Sequence, residues 1–196
     1  MLKDKLKDHH LILASGSPRR QKFFADLGAD FEVRLKPIKE EYPESLRHFE
    51  ITNYLAQLKS LPFLDELKDK DILVTSDTIV WLEEKALGKP RTQEEAFEML
   101  ESMSGKTHEV ITSVCFRTKD SQKTVYDVTK VTFKEFTKAE IDFYITNYDM
   151  MDKAGAYGIQ DWIGLIGVTN LEGSYFNVMG LPTHLVYKTL MDIADS

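Results

Sequence analysis

The chain has 196 residues, of which 42 % are hydrophobic and 29 % charged, enough apolar material for one good-sized domain or two small lobes. Its formal net charge of -7 excludes an extended nucleic-acid track, which needs a basic face to release counterions. A small polyphosphate stays compatible, because it needs only a local cationic pocket.

Residues 1–10 are charged and lack the apolar run of a signal peptide, and no segment approaches the about 20 apolar residues of a bilayer span. A cytoplasmic location with no membrane partner is expected. The single cysteine, Cys115, rules out an intramolecular disulfide and reads as a small core residue.

In chain order, residues 10–14 form a short apolar strand that runs into Ser15-Gly16-Ser17-Pro18-Arg19-Arg20. Ser17 suits a helix N-cap and Pro18 the first helical position, so residues 18–27 are expected as a helix ended by Gly28. The free N–H groups and positive dipole end of that helix, with two arginines and two serines, make a phosphate the natural guest. Residues 31–35 alternate as a strand, an acidic loop follows over 39–44, and a helix is expected over 46–60 with Phe49, Tyr54, Leu55 and Leu58 inward and Pro62 beyond its end.

Residues 72–81 are the strongest strand of the middle region. A turn with Gly88 and Pro90 leads to a helix opened by a Thr92–Glu95 capping box and closed by Gly105. Residues 110–117 and 124–133 pair as strands, and a second capping box, Thr137 with Glu140, starts a helix over 139–148. Short strands and turns fill 154–180, and a last helix runs to about residue 193. The intermixed elements predict a mixed α/β domain with a central twisted sheet and a cleft.

Asp77 interrupts the apolar run around it, and a carboxylate in a buried strand is expensive unless it is paired or binds a cation. With Glu40 of the acidic loop it offers the hard oxygen ligands that Mg²⁺ takes, with water and phosphate completing the shell. Lys59 and Lys89 are further cations. No zinc spacing, Walker A loop, dinucleotide glycine fingerprint or Gly-x-Ser-x-Gly elbow occurs. Oxygen ligands, arginines and lysines fit metal-assisted phosphoryl chemistry better than acyl transfer. Small residues in Asp152-Lys153-Ala154-Gly155-Ala156-Tyr157-Gly158-Ile159-Gln160 let backbone approach a ligand. The Gln160 amide matches the N3–H and O4 edge of uracil or thymine, or, flipped, that of cytosine.

These segments together resemble the Maf family of nucleoside triphosphate pyrophosphatases through nearly the whole chain. The resemblance is carried by Ala14-Ser15-Gly16-Ser17-Pro18-Arg19-Arg20-Gln21, Ser76-Asp77-Thr78-Ile79-Val80, Gly88-Lys89-Pro90 and Ser104-Gly105-Lys106-Thr107-His108. The stretch 152–160, Gly173-Ser174-Tyr175 and Val178-Met179-Gly180-Leu181-Pro182 complete it. It implies a hydrolase of acid anhydrides that cuts a nucleoside triphosphate between its α and β phosphates with a divalent cation, Mg²⁺ or Mn²⁺. It also implies one domain over the whole chain, two lobes around a cleft as in inosine triphosphatases, and a homodimer.

Carried onto this chain, Asp77 takes the family's proton-acceptor position, and Ser15, Arg19, Arg20, Glu40, Lys59, Lys89 and Gln160 its other active-site positions. The branch that accepts dTTP and UTP looks like this chain at Arg19, Thr78 and Gln160, whereas the 7-methylguanine branch typically carries tryptophan and glutamate at the first and last of these. Asp161-Trp162 departs from the glycine-rich step usual after Gln160. The alternatives are a 7-methyl-GTP or broad modified-nucleotide pyrophosphatase, and a non-catalytic nucleotide-binding regulator of septum formation.

Overall fold

The computed structural model describes residues 1–195. The chain begins α1 (Leu2–Lys5), β1 (His10–Leu13), α2 (Pro18–Asp26), β2 (Glu32–Val33), α3 (Phe49–Ser60) and a 3₁₀ turn (Leu61–Glu66). It continues β3 (Asp71–Leu82), β4 (Lys85–Leu87), α4 (Gln93–Met103), β5 (Thr107–Arg117), β6 (Gln122–Phe133) and α5 (Lys138–Asn147). A 3₁₀ turn (Ala154–Ala156), α6 (Trp162–Gly167), β7 (Val168–Glu172), α7 (Tyr175–Val178) and α8 (Thr183–Ala194) complete it. The strands form one seven-stranded sheet in the order β2-β1-β3-β5-β6-β7, with β4 paired to β3. It is mixed: β1 runs parallel to both β2 and β3, while β3–β4 and β6–β7 are antiparallel. The expected mixed α/β architecture is thus present.

Two compact units divide the chain. The first comprises Met1–Asp77, Thr112–Tyr126 and the chain from Gly180 on. Within it, Ile12 of β1 and Leu73 of β3 pack on Phe63 and Leu67. The second comprises Thr78–Ile111 and Asp127–Met179. Its core joins Val80 and Leu82, the inner face of α4 (Ala96, Leu100, Met103), Ile141, Tyr144 and Ile145 of α5, and Ile159 and Ile163.

Local rules account for several helix ends. Ser17, Thr92 and Thr137 each accept a hydrogen bond from the third residue of their helix, and Gly28 (φ 72°) and Gly105 (φ 68°) take the left-handed conformation just past α2 and α4. Thr137 and Glu140 form the full reciprocal box. Thr92 and Glu95 do not, because the Glu95 carboxylate accepts from Arg91 N instead, at 2.8 Å.

Further expectations need correction. The strand expected over 31–35 shrinks to Glu32–Val33, because it lies at the sheet edge and the extended run soon meets Pro37, which has no N–H to pair. The helix expected from residue 46 begins at Phe49, behind His48 with its positive φ of 51°, and Tyr54 is exposed. The buried face of α3 is Ile51, Thr52, Leu55, Ala56 and Ser60. A hairpin to β4 follows β3 through Glu83 (φ 48°) and Glu84 (φ 62°), a positive-φ pair that Asn-Gly usually marks. Residues 154–180 hold two short helices and one strand rather than strands and turns.

Candidate active site

In the first unit, β1 lies between β2 and β3 and runs parallel to both, so the chain order reverses at β1. Open α/β sheets bind ligands beyond the carboxyl ends of strands at such a reversal. The chain leaves β1 there through Ala14, whose N–H donates to Val74 O at 2.9 Å, and enters α2. Ser15 is buried and braces this entry: its Oγ accepts from Ser17 N at 3.3 Å and its carbonyl accepts from Gln21 Nε2 at 3.1 Å. Ser17 Oγ in turn accepts from Arg20 N at 3.5 Å. Arg19 and Arg20 therefore sit in the first turn of α2, as the sequence anticipates.

Arg20 folds back toward the sheet. Its Nε donates to Gly180 O at 2.8 Å and its Nη1 to Ser76 O at 3.0 Å. Burial draws its guanidinium below the ordinary arginine value, opposed by the negative charge of Asp77 and, more weakly, Glu40, while Arg19 adds to the lowering.

A polar seam docks α3 on the sheet. Thr75 Oγ1 donates to Ala56 O at 2.6 Å, Thr52 and Ser113 hydroxyls meet at 2.6 Å, and Ser113 Oγ donates to Asn53 Oδ1 at 2.7 Å. Lys59 is three residues beyond Ala56 and so shares its helix face, while Asp77 is two beyond Thr75 and shares its strand face. The seam thereby brings Lys59 Nζ to 2.6 Å from Asp77 Oδ1. The ammonium also lies 3.0 Å from Glu40 Oε2 and 3.5 Å from Ser76 O. The Asp77 and Lys59 side chains are only 9 % and 17 % exposed, so mutual neutralisation is what makes both charges tolerable inside. The Ser76 carbonyl accepts from both Arg20 and Lys59, which links all four charged groups.

The other predicted residues belong to the second unit. Thr78 follows Asp77 on β3 and faces the opposite side of the strand. Lys89 is exposed in the turn after β4, and that turn is tied to the glycine-rich loop by Gly155 N donating to Gly88 O at 2.9 Å. Gly155 has φ 67°, and a Cβ there would stand 2.7 Å from Val80 Cγ2. Only glycine permits that approach.

Four residues to which the sequence reading gave no site role hold this loop. His108 of β5 pairs Nε2 with Tyr157 Oη at 2.7 Å, deep in the core. Burial pushes the imidazole down to about 4 and raises the Tyr157 phenol. Tyr144 of α5 accepts from Gly158 N at 3.2 Å and donates to Asp161 Oδ2 at 2.8 Å. Asp161 Oδ1 accepts from Gln160 Nε2 at 3.2 Å. The available signal for Asp161 was its departure from the usual glycine. Tyr144 and His108 look like ordinary core residues until the fold pairs them.

Among the described residues no group of three or more His, Cys, Asp or Glu could hold a metal ion alone. None of the helices described is long and apolar enough to cross a membrane. Cys115 is buried and its thiol is raised by that burial.

Comparison with known proteins gives a consistent result. The chain is 61 % identical over 190 residues to a dTTP/UTP pyrophosphatase of Flavobacterium johnsoniae, covering 97 % of this chain and 98 % of that one. It is 56 % identical to the dTTP/UTP pyrophosphatase of Christiangramia forsetii over the full length of both, and 47 % identical to that of Phocaeicola vulgatus over 95 % and 97 % of the two chains. Among solved structures, the Staphylococcus aureus Ham1 protein is similar at a TM-score of 0.46 and 15 % identity, over 63 % of this chain and 71 % of that one. The model of the family described as Maf-like protein matches residues 10–193, and this chain belongs to that family.

Proposed function

We propose that this protein is a nucleoside triphosphate pyrophosphatase that hydrolyses dTTP and UTP to the monophosphate and pyrophosphate. The observation that carries the reading is the cluster in which the shielded Lys59 stands 2.6 Å from Asp77 and 3.0 Å from the exposed Glu40, beside Arg20. A lone ion pair would have been cheaper to replace by apolar packing. Two acids, a lysine and an arginine at a strand-order reversal are instead suited to a polyanion. Full-length similarity to proteins named for dTTP and UTP supports the choice of substrate.

In this reading the α2 entry, with Ser15, Arg19 and Arg20, and the lysines Lys59 and Lys89 bind the triphosphate. Asp77 accepts a proton from the water whose oxygen forms a bond to the α phosphorus. The bond from that phosphorus to the bridging oxygen breaks, and pyrophosphate leaves with the electron pair. Lys59 holds Asp77 in place until then, and Gln160, with Arg19 and Thr78, reads the base. The donor set also fits a divalent cation: two carboxylates, Asp77 and Glu40, both reach the Lys59 ammonium and so lie close enough to share a cation, and Mg²⁺ is commonly held by one or two carboxylates plus substrate phosphates. Bound there, Mg²⁺ or Mn²⁺ would neutralise phosphate oxygens and the leaving group.

The test is pyrophosphate release from dTTP and UTP by the wild-type protein and Asp77→Asn, with 7-methyl-GTP as the competing substrate. Turnover of dTTP and UTP that disappears in the variant is expected. Nucleotide binding with no release by the wild type, or a preference for 7-methyl-GTP, overturns the assignment.

A further inference from the structure

We propose that Asp161 is a specificity-determining positioning residue: it locks the Gln160 amide in the one orientation that accepts the N3–H of uracil or thymine and rejects cytosine. This rests on the reading of Gln160 as the base reader. An amide can be turned end for end at little cost, and the two orientations match opposite bases. What fixes the direction is its partner. An ionised carboxylate only accepts hydrogen bonds, so the atom 3.2 Å from Asp161 Oδ1 has to be the amide nitrogen.

The consequence is seen on the other atom. Gln160 Oε1 is buried and has no hydrogen-bond partner in the protein. A buried acceptor left open costs free energy, which an N–H from a ligand would recover. Uracil and thymine carry a hydrogen on N3. Cytosine has a lone pair there, so the same pose would set lone pair against lone pair.

The lock is itself held from behind. Gly158 N donates to Tyr144 Oη at 3.2 Å, and Tyr144 Oη donates to Asp161 Oδ2 at 2.8 Å, leaving Oδ1 for the amide. The Lys153 ammonium lies 3.9 Å from Oδ2, on the side of the carboxylate that Tyr144 holds. The backbone makes room for the pair: a Cβ on Gly158 would stand 2.5 Å from Asp161 Oδ2 and 2.6 Å from Gln160 Nε2. These contacts all lie within the second unit.

The experiment measures kcat and KM for UTP and CTP, by pyrophosphate release, in the wild type, Asp161→Asn and Gly158→Ala, with thermal melts to establish folding. Asparagine can donate as well as accept, so Asp161→Asn removes the one-way constraint while keeping shape. The expected result is a UTP-over-CTP ratio of kcat/KM that falls about tenfold or more, carried by KM with kcat within about twofold. Gly158→Ala disturbs the same pairing from the other side and should lower the ratio likewise, which keeps the test decisive if Asp161→Asn does not fold. An unchanged ratio in a folded variant of either kind overturns the inference while the activity stands. A wild type that releases no pyrophosphate from UTP or dTTP overturns the function and the inference with it.

Discussion

Each unit sets an aspartate among close polar partners, buried in the first (Asp77) and half-buried in the second (Asp161), and they use it differently. Asp77 in the first unit faces a full opposite charge, the Lys59 ammonium, with a second carboxylate on the far side. Asp161 in the second faces neutral donors, the Tyr144 hydroxyl and the Gln160 amide, with Lys153 further off. Charge against charge holds a carboxylate where it can take up a proton or a metal. Charge against neutral dipoles instead orients them, because a carboxylate dictates which end of each partner it meets. One arrangement suits reaction and the other suits recognition.

That contrast predicts separate kinetic signatures. Replacing Asp77 by Asn should have the largest effect, a loss of about a thousandfold in kcat, within the range expected for a lost general base and its electrostatics. Lys59→Met should cost about a hundredfold in kcat and raise KM as well, since it removes a cation that binds the triphosphate and leaves Asp77 and Glu40 without the charge between them. Steady-state pyrophosphate release reads both. A Lys59→Met protein with a raised KM and intact kcat would break the division.

In the second unit, Gln160→Glu should raise KM for UTP by about tenfold or more and leave kcat nearly unchanged, because it sets a second carboxylate against Asp161.

Stability offers a smaller but independent check. The buried His108 imidazole is held down at about 4 by desolvation, whereas in the unfolded chain it titrates near the ordinary imidazole value of 6.5. The unfolded state therefore takes up the proton first as pH falls. Stability is full above about pH 6.5 and declines by about 3 kcal/mol toward pH 4. His108→Gln should flatten that part of the profile in denaturant titrations across this range. Smallest of all, Thr137→Ala removes the N-cap of α5 and should cost about 1 kcal/mol, read as a shift in the urea midpoint.

Much of the first unit's site was legible before folding. Ser17 and Pro18 announce a helix start, and Asp77 stands out as a charge inside an apolar run. Glu40 was harder, since an acidic loop looks solvated until Lys59 is found beside it. In the second unit the glycines and Gln160 were visible. Their supports were not, because Tyr144 sits 17 residues from Asp161 and His108 49 from Tyr157. Hydrogen bonds over such separations leave no periodic trace.

Local chemistry alone determined the elements whose signals lie within a few residues: the capped helices, the branched strand β3 and the left-handed glycines after α2 and α4. Caps, propensities and φ preferences act over one or two turns, so reading the chain recovers them. Only the tertiary structure decided that α3 docks with Lys59 on Asp77, that β2 shrinks to an edge pair, and which way the Gln160 amide points. Those outcomes depend on partners brought from distant segments, and an amide has no preferred direction until a neighbour of fixed polarity imposes one.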